Sequence, residues 1–228
     1  MSDIQVIETR DGSSSLLIPE MNETYHSTHG AITESEYVFL KMGLDHFREK
    51  HKEQKIIRIL EIGFGTGLNP WLTTMAVLGQ EIDIRFTSIE KYPLAPDLVA
   101  QLNYKDQKSG EMSKKLFTKL HQATWEEESQ ISDQLTLTKV KTDIADFNPD
   151  SECFDLIYFD AFAPSKQPEM WSYEVLRKMY DLLTPNGVFV TYCAQGQFKR
   201  DLKAVGFETE ELDGPPGKKE MTRGTKLI

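Results

Sequence analysis

Leu60-Glu-Ile-Gly-Phe-Gly-Thr-Gly67 closes the apolar run Ile56–Ile62 and opens a stretch, Leu68–Leu78, with apolar residues at helical spacing. The order strand, glycine-rich turn, helix marks the carboxyl edge of a parallel sheet, where nucleotide-like ligands bind. Glycines let the backbone turn tightly there and approach a ligand with no Cβ in the way. A dinucleotide site needs G-x-G-x-x-G before a helix that faces a pyrophosphate. The spacing here is G-x-G-x-G, and Glu61 stands two residues before Gly63. A carboxylate so placed repels a pyrophosphate and suits a ligand carrying an ammonium and a sulfonium. The loop therefore favours S-adenosylmethionine over NAD. The blander reading is a glycine turn that only packs strand on helix.

Outward from this loop, short apolar runs alternate with helical stretches, the pattern of βαβ units. Strands are expected at Ile56–Ile62, Ile82–Ile89, Leu135–Val140, Phe154–Phe159 and Val188–Cys193. A terminal antiparallel pair is expected at Phe207–Leu212 and Glu220–Thr225. Helices are expected at Glu34–His51, where Thr33 and Glu36 form a capping box, and at Leu68–Leu78 with Pro70 in the first turn. Further helices are expected at Leu94–Asn103, around Leu116–His121 within the polar stretch Lys105–Glu128, at Met170–Leu183 and at Gln197–Ala204. This is an α/β chain with a Rossmann-like fold: a seven-stranded, mostly parallel sheet with an antiparallel last strand. Residues 1–33 form a small N-terminal extension, a possible hairpin turning at Asp11-Gly12, on the substrate side. Residues 34–228 form the catalytic domain.

The composition sets outer bounds. The 228 residues, 39% of them apolar, are enough for one large domain. Two cysteines, Cys153 and Cys193, match no metal-ligand spacing and suit a reducing compartment. The start Met1-Ser-Asp-Ile-Gln5 lacks the basic and apolar stretches of a signal peptide, and no apolar run spans a bilayer. A soluble cytoplasmic protein without a metal or a membrane partner is the expectation. The net charge of −10 argues against broad affinity for nucleic acid.

Three more carboxylates fall where strands end. Glu90 closes the second parallel strand, placed to accept bonds from both ribose hydroxyls of a cofactor. Asp143 follows the third and is placed to meet the adenine edge. Asp160 follows the fourth and opens a proline-stiffened loop, Asp160-Ala-Phe-Ala-Pro-Ser-Lys-Gln-Pro-Glu-Met-Trp171. There Asp160 is placed to hold an amine nucleophile, with Phe162 and Trp171 stacking on a planar base and Pro164 and Pro168 limiting loop motion. The alternative makes the prolines connectors and Trp171 a core residue at a helix start.

Three stretches together resemble one family: Leu60-Glu-Ile-Gly-Phe-Gly-Thr-Gly-Leu-Asn69, the Asp160–Trp171 loop and Gly217-Lys-Lys-Glu-Met221. The resemblance runs from about Tyr25, through Glu34-Ser-Glu-Tyr-Val-Phe-Leu40, nearly to the C-terminus. The family is the tRNA 5-methylaminomethyl-2-thiouridine methyltransferases, of class I fold, either the MnmD type or the methyltransferase half of MnmC. The resemblance implies methyl transfer from S-adenosylmethionine to the primary amine of 5-aminomethyl-(2-thio)uridine at the tRNA wobble position. It implies a cofactor site of Glu61, Gly63, Phe64, Gly65, Gly67, Asn69, Glu90 and Asp143, and assigns Asp160 to the substrate amine. The oxidase domain of the bifunctional members is not expected here, so upstream enzymes acting on the same tRNA would supply the aminomethyl group. An unperturbed carboxylate near 4 is a poor base for an alkylammonium near 10, so Asp160 is expected to orient the amine.

An acidic chain that binds the anticodon region of tRNA needs a local basic strip. Lys166, Lys218, Lys219 and Arg223, with Lys199 and Arg200, are its candidates, while Phe162, Pro164, Trp171 and Tyr25 complete the substrate side. Other readings stay open: methylation of a small-molecule amine, an aminopropyltransferase, or a binding module without chemistry. The paired-acid loop of aminopropyltransferases is missing, because Ala161-Phe-Ala follows Asp160.

Overall fold

The structure, a computed structural model, describes residues 4–107 and 110–227. Residues 108 and 109 of the polar stretch after Lys105, and the first three residues of the N-terminal reading, lie outside the described residues. A three-stranded antiparallel sheet comes first: β1 (Gln5–Glu8), β2 (Ser14–Ile18) and β3 (Glu23–Thr24), in the order β1-β2-β3. The expected hairpin is thus extended by one short strand, and Leu16 carries it into the main core.

The central sheet is built from β4 (Ile56–Ile62), β5 (Asp83–Ile89), β6 (Glu128–Ser132), β7 (Leu135–Val140), β8 (Phe154–Phe159), β9 (Leu183–Thr191), β10 (Phe207–Asp213) and β11 (Glu220–Lys226). Their order is β10-β11-β9-β8-β4-β5-β7-β6. The five strands from β9 to β7 pair in parallel, whereas β11 is antiparallel to β9 and β10. The sheet has eight strands, not seven, because β6 pairs antiparallel with β7 at the edge. Its sequence, Glu-Ser-Gln-Ile-Ser, buries only Ile131, so no apolar alternation announced it. Polar, short edge strands of this kind resist pairing with other chains.

Period-two alternation along the strands divides the core into two layers. Ile57, Ile59, Ile84, Phe86, Leu135, Leu137 and Tyr158 face one cluster, shared with residues of the helices Leu68–Val77 and Glu111–Gln122. Leu60, Ile62, Ile157, Phe159 and Phe189 face the other, shared with Tyr173–Leu182 and Gly196–Val205. From β4 the chain runs one way to β5 and β7, then returns to β8 and β9 on the other flank. The crevice between the carboxyl ends of β4 and β8 is the switch point of the sheet, where ligands bind in such folds.

Two helices differ from expectation. Leu94–Asn103 forms only the short turn Pro96–Val99, since Pro93 and Pro96 break the pattern. The 3-10 turn Pro168–Trp171 precedes the helix Tyr173–Leu182, which Ser172 caps by accepting the Val175 N–H. The first long helix, residues 31–50, starts at Ala31 and passes through a π segment, Glu36–Asp45. Its Gly43 lies so close to β8 and β9 that a Cβ would meet Val190 at 3.0 Å.

The expected Thr33–Glu36 capping box does not form, because Thr33 already lies inside the helix. The N-terminal segment caps the helix instead. Asp11 Oδ2 accepts the Thr33 N–H at 2.9 Å and the Thr33 hydroxyl at 2.8 Å, while Ser13 Oγ accepts the Ala31 N–H at 3.2 Å. Burial would raise the Asp11 pKa, but the hydrogen bonds from Ser13 and Thr33 outweigh it and lower it to about 2. Stability from this group is therefore full above the ordinary 3.8 and lost as pH falls towards 2. Asp11→Ala should cost about 1 kcal/mol at pH 7, after allowance for solvent screening, and progressively less below pH 4. Urea denaturation across that range checks this; equal stability of the two proteins at pH 7 would contradict it.

Candidate active site

The glycine loop is tied to the sheet by its own backbone. Gly63 and Phe64 both donate to the Ile89 carbonyl, at 3.0 and 3.1 Å. Gly63 adopts φ +95°, and a Cβ there would meet the Asp160 carbonyl oxygen at 2.9 Å. The loops after β4 and β8 therefore touch only because residue 63 is glycine. Gly67, at φ +70°, precedes the helix Leu68–Val77, and a Cβ on it would strike the His121 ring at 2.9 Å. Phe64 turns its ring away from the crevice, into a buried cluster with His121 and Trp125. Its backbone is engaged as well, the N–H by the Ile89 carbonyl and the carbonyl by the Gly67 N–H, so Phe64 shapes the loop from within.

The carboxylates at the strand ends have distinct surroundings. Glu90 Oε2 accepts the Gly65 N–H at 3.0 Å and Oε1 accepts the Tyr92 N–H at 2.8 Å. Asp143 is held by Lys91, 2.7 Å away, and by the Ala145 N–H, and the Lys91 hydrogen bond lowers its pKa. Glu61 lies fully buried beneath the loop, with its Oε2 accepting the Ser88 hydroxyl. Its burial pushes its pKa well up, helped by the charge of Asp160, so the protonated form is favoured. This differs from the expected carboxylate facing an ammonium and a sulfonium: Glu61 sits on the inner face of β4, below the crevice. Asn69 lies beside this carboxyl and interacts with it.

Asp160 is the acid at the crevice. Its N–H donates to the Ile62 carbonyl, and its Oδ2 accepts Asn69 Nδ2 at 2.9 Å. Burial pushes its pKa up to about 7, with Glu34 adding to the rise while the Asn69 bond and the Lys218 charge oppose it. The gap to an alkylammonium near 10 narrows from about six units to about three.

The loop after Asp160 is fixed from both sides. Trp171 is buried against Phe159, Tyr192 and Phe198 and donates its indole N–H to the Phe162 carbonyl at 2.8 Å. It is a core residue that staples the loop, and it does not present its ring for stacking on a base. The Tyr192 hydroxyl donates to the Ala161 carbonyl at 2.8 Å. Phe162 meets Tyr25 edge to face at 5.0 Å, and Tyr25 in turn covers Gly65, where a Cβ would meet its ring at 3.3 Å. Burial raises the Tyr25 hydroxyl to about 12, with the charge of Glu90 adding to it. Tyr25 thus links the glycine loop to the Asp160 loop. Beside them a cleft of about 420 Å³ is lined by Ala163, Pro164, Tyr192, Cys193, Lys218 and Lys219, among others.

The basic strip is largely paired, as an excess of acids over bases favours. Lys166 donates to the Met21 carbonyl, Lys199 bridges Glu211 and Glu220, and Arg200 donates to Gln197. Arg223 is buried with Glu210 and donates to the Met42 carbonyl. Lys218 pairs with Glu34 at 2.6 Å. Lys219 is 93% exposed and lies 3.8 Å from Glu220, and Arg200 is exposed with the neutral Gln197 as its acceptor, so these two keep the most open charges of the six.

Sequence reasoning missed the residues that support these groups. Lys139 is 1% exposed, over the rings of Phe64 and Trp125, and donates to the His121 carbonyl. His121 Nε2 lies 3.1 Å from the Thr66 carbonyl. Lys139 stood at a core position of the alternating strand Leu135–Val140, and that misplaced charge was the signal. Among the described residues no set of three potential metal ligands occurs, and no helix is long and apolar enough to cross a membrane.

This sheet order, with a glycine loop after its central strand and acids at successive strand ends, defines a class I methyltransferase fold. The chain belongs to the family described as S-adenosyl-L-methionine-dependent methyltransferase, whose profile matches residues 104–227, just over half of it. Bifunctional tRNA 5-methylaminomethyl-2-thiouridine biosynthesis proteins MnmC are similar over most of the chain. That of Cupriavidus necator is 32% identical over 215 residues, 90% of this chain and 32% of that protein. That of Pseudoalteromonas atlantica is 33% identical over 220 residues, 89% of this chain and 31% of that protein. The chain spans about a third of the length of these curated relatives. The crystal structure of MNMC2 from Aquifex aeolicus superposes with a TM-score of 0.80 at 26% identity, over all of this chain and 71% of that one. A probable spermidine synthase from Corynebacterium glutamicum shares the fold alone, at 17% identity and a TM-score of 0.56 over 97% of this chain and 76% of that one. The resemblance drawn from the glycine loop, the Asp160 loop and the Gly217 stretch is borne out.

The methyl donor of this family is S-adenosyl-L-methionine, and the crevice fits it. The acceptor oxygens of Glu90 beside the glycine loop and of Asp143 after β7 match the hydroxyls and amine that an adenosyl group presents. Glu90→Ala should weaken binding of the donor about tenfold or more, because a charged acceptor and the Gly65 anchor are lost together. Isothermal titration calorimetry measures this; affinity within twofold of the wild type would remove Glu90 from the site.

Proposed function

We propose that this chain methylates the primary amine of 5-aminomethyl-(2-thio)uridine at the wobble position of tRNA. The observation that carries the reading is Asp160: an enclosed carboxyl held by Asn69 at the switch point, next to a cleft sized for a base. In this reading Glu90 and Asp143 take the ribose and adenine of the donor. The loop of Gly63, Phe64, Gly65 and Gly67 lies along it, and Asn69 and Glu61 support it from below. The donor supplies an electrophilic methyl on a sulfonium.

Asp160 then does the protein's chemical work. Its carboxylate accepts an N–H of the incoming amine and fixes the lone pair towards the methyl, a gain in proximity rather than a covalent step. The amine must be neutral to attack, since an ammonium has no lone pair. One proton passes to Asp160 or to solvent, the N–C bond forms, the C–S bond breaks, and its electron pair stays on sulfur. Tyr25, Phe162 and Pro164 border the acceptor base, which needs few phosphate contacts if it enters unstacked. Lys219 is the exposed cation nearest to this role, and Lys166 serves by anchoring the loop. The amine must come from enzymes that install an aminomethyl group on the same tRNA. A cytoplasmic site of action follows from this substrate.

The reading is tested with labelled donor and bulk tRNA from cells lacking this activity. Label should appear in a single uridine-derived nucleoside, and Asp160→Ala should reduce it at least a thousandfold while donor affinity stays within about threefold. Transfer confined to free amines, with no label in tRNA, would replace the acceptor by a small molecule. Because the Asp160 carboxyl is raised to about 7 and acts ionised, kcat/KM should fall as pH drops below 7. Asp160→Asn should lack that acid limb, and a profile unchanged in Asp160→Asn would show that another group titrates.

A further inference from the structure

Glu34, from the stretch Glu34–Leu40, and Lys218, from Gly217–Met221, pair near Asp160, and the mechanism above uses neither. Glu34 lies at the start of the first long helix and is 7% exposed. Its Oε2 accepts the Ser27 N–H at 2.9 Å, and its Oε1 lies 2.6 Å from Lys218 Nζ. The Lys218 ammonium also rests 3.6 Å from the centre of the Tyr192 ring. Tyr192 is the residue whose hydroxyl holds the Ala161 carbonyl, next in sequence to Asp160. Gly217, at φ +89°, brings the Lys218 loop so close to His29 that a Cβ would lie 2.4 Å from that ring. The N-terminal segment and the loop between β10 and β11 thus interlock over the acceptor cleft.

We propose that Glu34 is a positioning residue for the acceptor pocket, pinning the Lys218 ammonium on the Tyr192 face so that Asp160 meets a fixed positive charge. The inference rests on the reading that Asp160 takes the acceptor amine. Three physical points support it. An ion pair with one partner buried is far less screened by water and salt than one on the surface. A cation over a tyrosine face gains a second, independent restraint. The charges of Glu34 and Lys218 are both felt at Asp160, with opposite signs. With two carboxylates against one ammonium, the pocket is one positive charge short, which an alkylammonium supplies on entry.

Other titratable groups face this cluster. Glu61, Tyr104 and Tyr192 interact with Asp160. His26, lowered to about 4 by burial, faces Glu34, Lys218 and Asp11, and so stays neutral at working pH. Cys193 faces Lys218 and Lys199, and Glu23 faces Tyr192. None of these carries a positive charge that replaces Lys218 beside Asp160.

The test reads the Asp160 carboxyl itself, by carbon-13 NMR of aspartate-labelled protein, with Asp160→Asn giving the assignment. Lys218→Met should move its midpoint up by about one pH unit. Glu34→Gln should move it in the same direction, because Lys218 is no longer held, and the double variant should move no further than either single one. Lys218→Arg should return the midpoint close to that of the wild type. A downward shift in Glu34→Gln, the result of merely deleting a nearby negative charge, would overturn the proposal. So would single shifts that add in the double variant. Should Glu34→Gln fold poorly, the Lys218→Met and Lys218→Arg pair still decides: an unmoved midpoint in Lys218→Met overturns the idea. The wild type and both single variants are assayed for methyl transfer to tRNA in the same samples. At pH 7 both single variants should lose about fivefold in kcat with donor affinity within twofold, as one unit on the Asp160 midpoint cuts its ionised fraction. A wild type that leaves tRNA unlabelled defeats the proposed acceptor, while the NMR midpoints still decide the ion pair.

Discussion

One backbone hydrogen bond, from the Asp160 N–H to the Ile62 carbonyl at 3.1 Å, is what the site depends on. It continues the parallel ladder of β4 and β8 one residue past their ends and brings the two loops into contact. A second bond of the same kind, Gly63 to the Ile89 carbonyl, draws in the end of β5. The glycine loop, Glu90 and Asp160 are thereby set by sheet register. Gly63 is the local condition for this, since any side chain would press on the Asp160 carbonyl.

Around this junction the protein buries an unusual amount of charge, and each buried group is restrained. Glu61, Ser88 and Lys139 are in register on neighbouring strands, on the face that carries the glycine loop. Lys139 finds two aromatic rings and one carbonyl; burial pulls its pKa down to about 8. Glu61 finds Ser88 and is pushed towards its neutral form. Such groups cost stability when unpaired. Here they line the underside of the glycine loop, so the cost falls at the carboxyl end of the central strands.

Much of this was legible in the sequence, because the signals were periodic or steric. The runs Ile56–Ile62, Leu135–Val140 and Phe154–Phe159 became strands at those bounds, since branched apolar residues with matching burial leave little choice. The glycine spacing placed the loop, and carboxylates following strand ends placed Glu90, Asp143 and Asp160. What escaped were features set by tertiary contact. The edge strand β6 has no apolar pattern, and the cap on the first helix comes from Asp11, some twenty residues away. Trp171 could be read as a stacking ring or as a core residue, and only its packing against Phe159 and Phe198 decides for the core. The basic residues looked free because sequence does not show that Glu34, Glu210 and Glu211 stand beside Lys218, Arg223 and Lys199.

The central claim is that the β4–β8 crevice brings the acceptor amine and the methyl donor together at Asp160. A crystal structure of the protein with S-adenosylhomocysteine and 5-aminomethyluridine tests it most directly. The account predicts the amine within hydrogen-bond distance of the Asp160 carboxylate and facing the sulfur, with Glu90 on the ribose. An amine bound away from Asp160, or a cofactor seated outside the glycine loop, would contradict it.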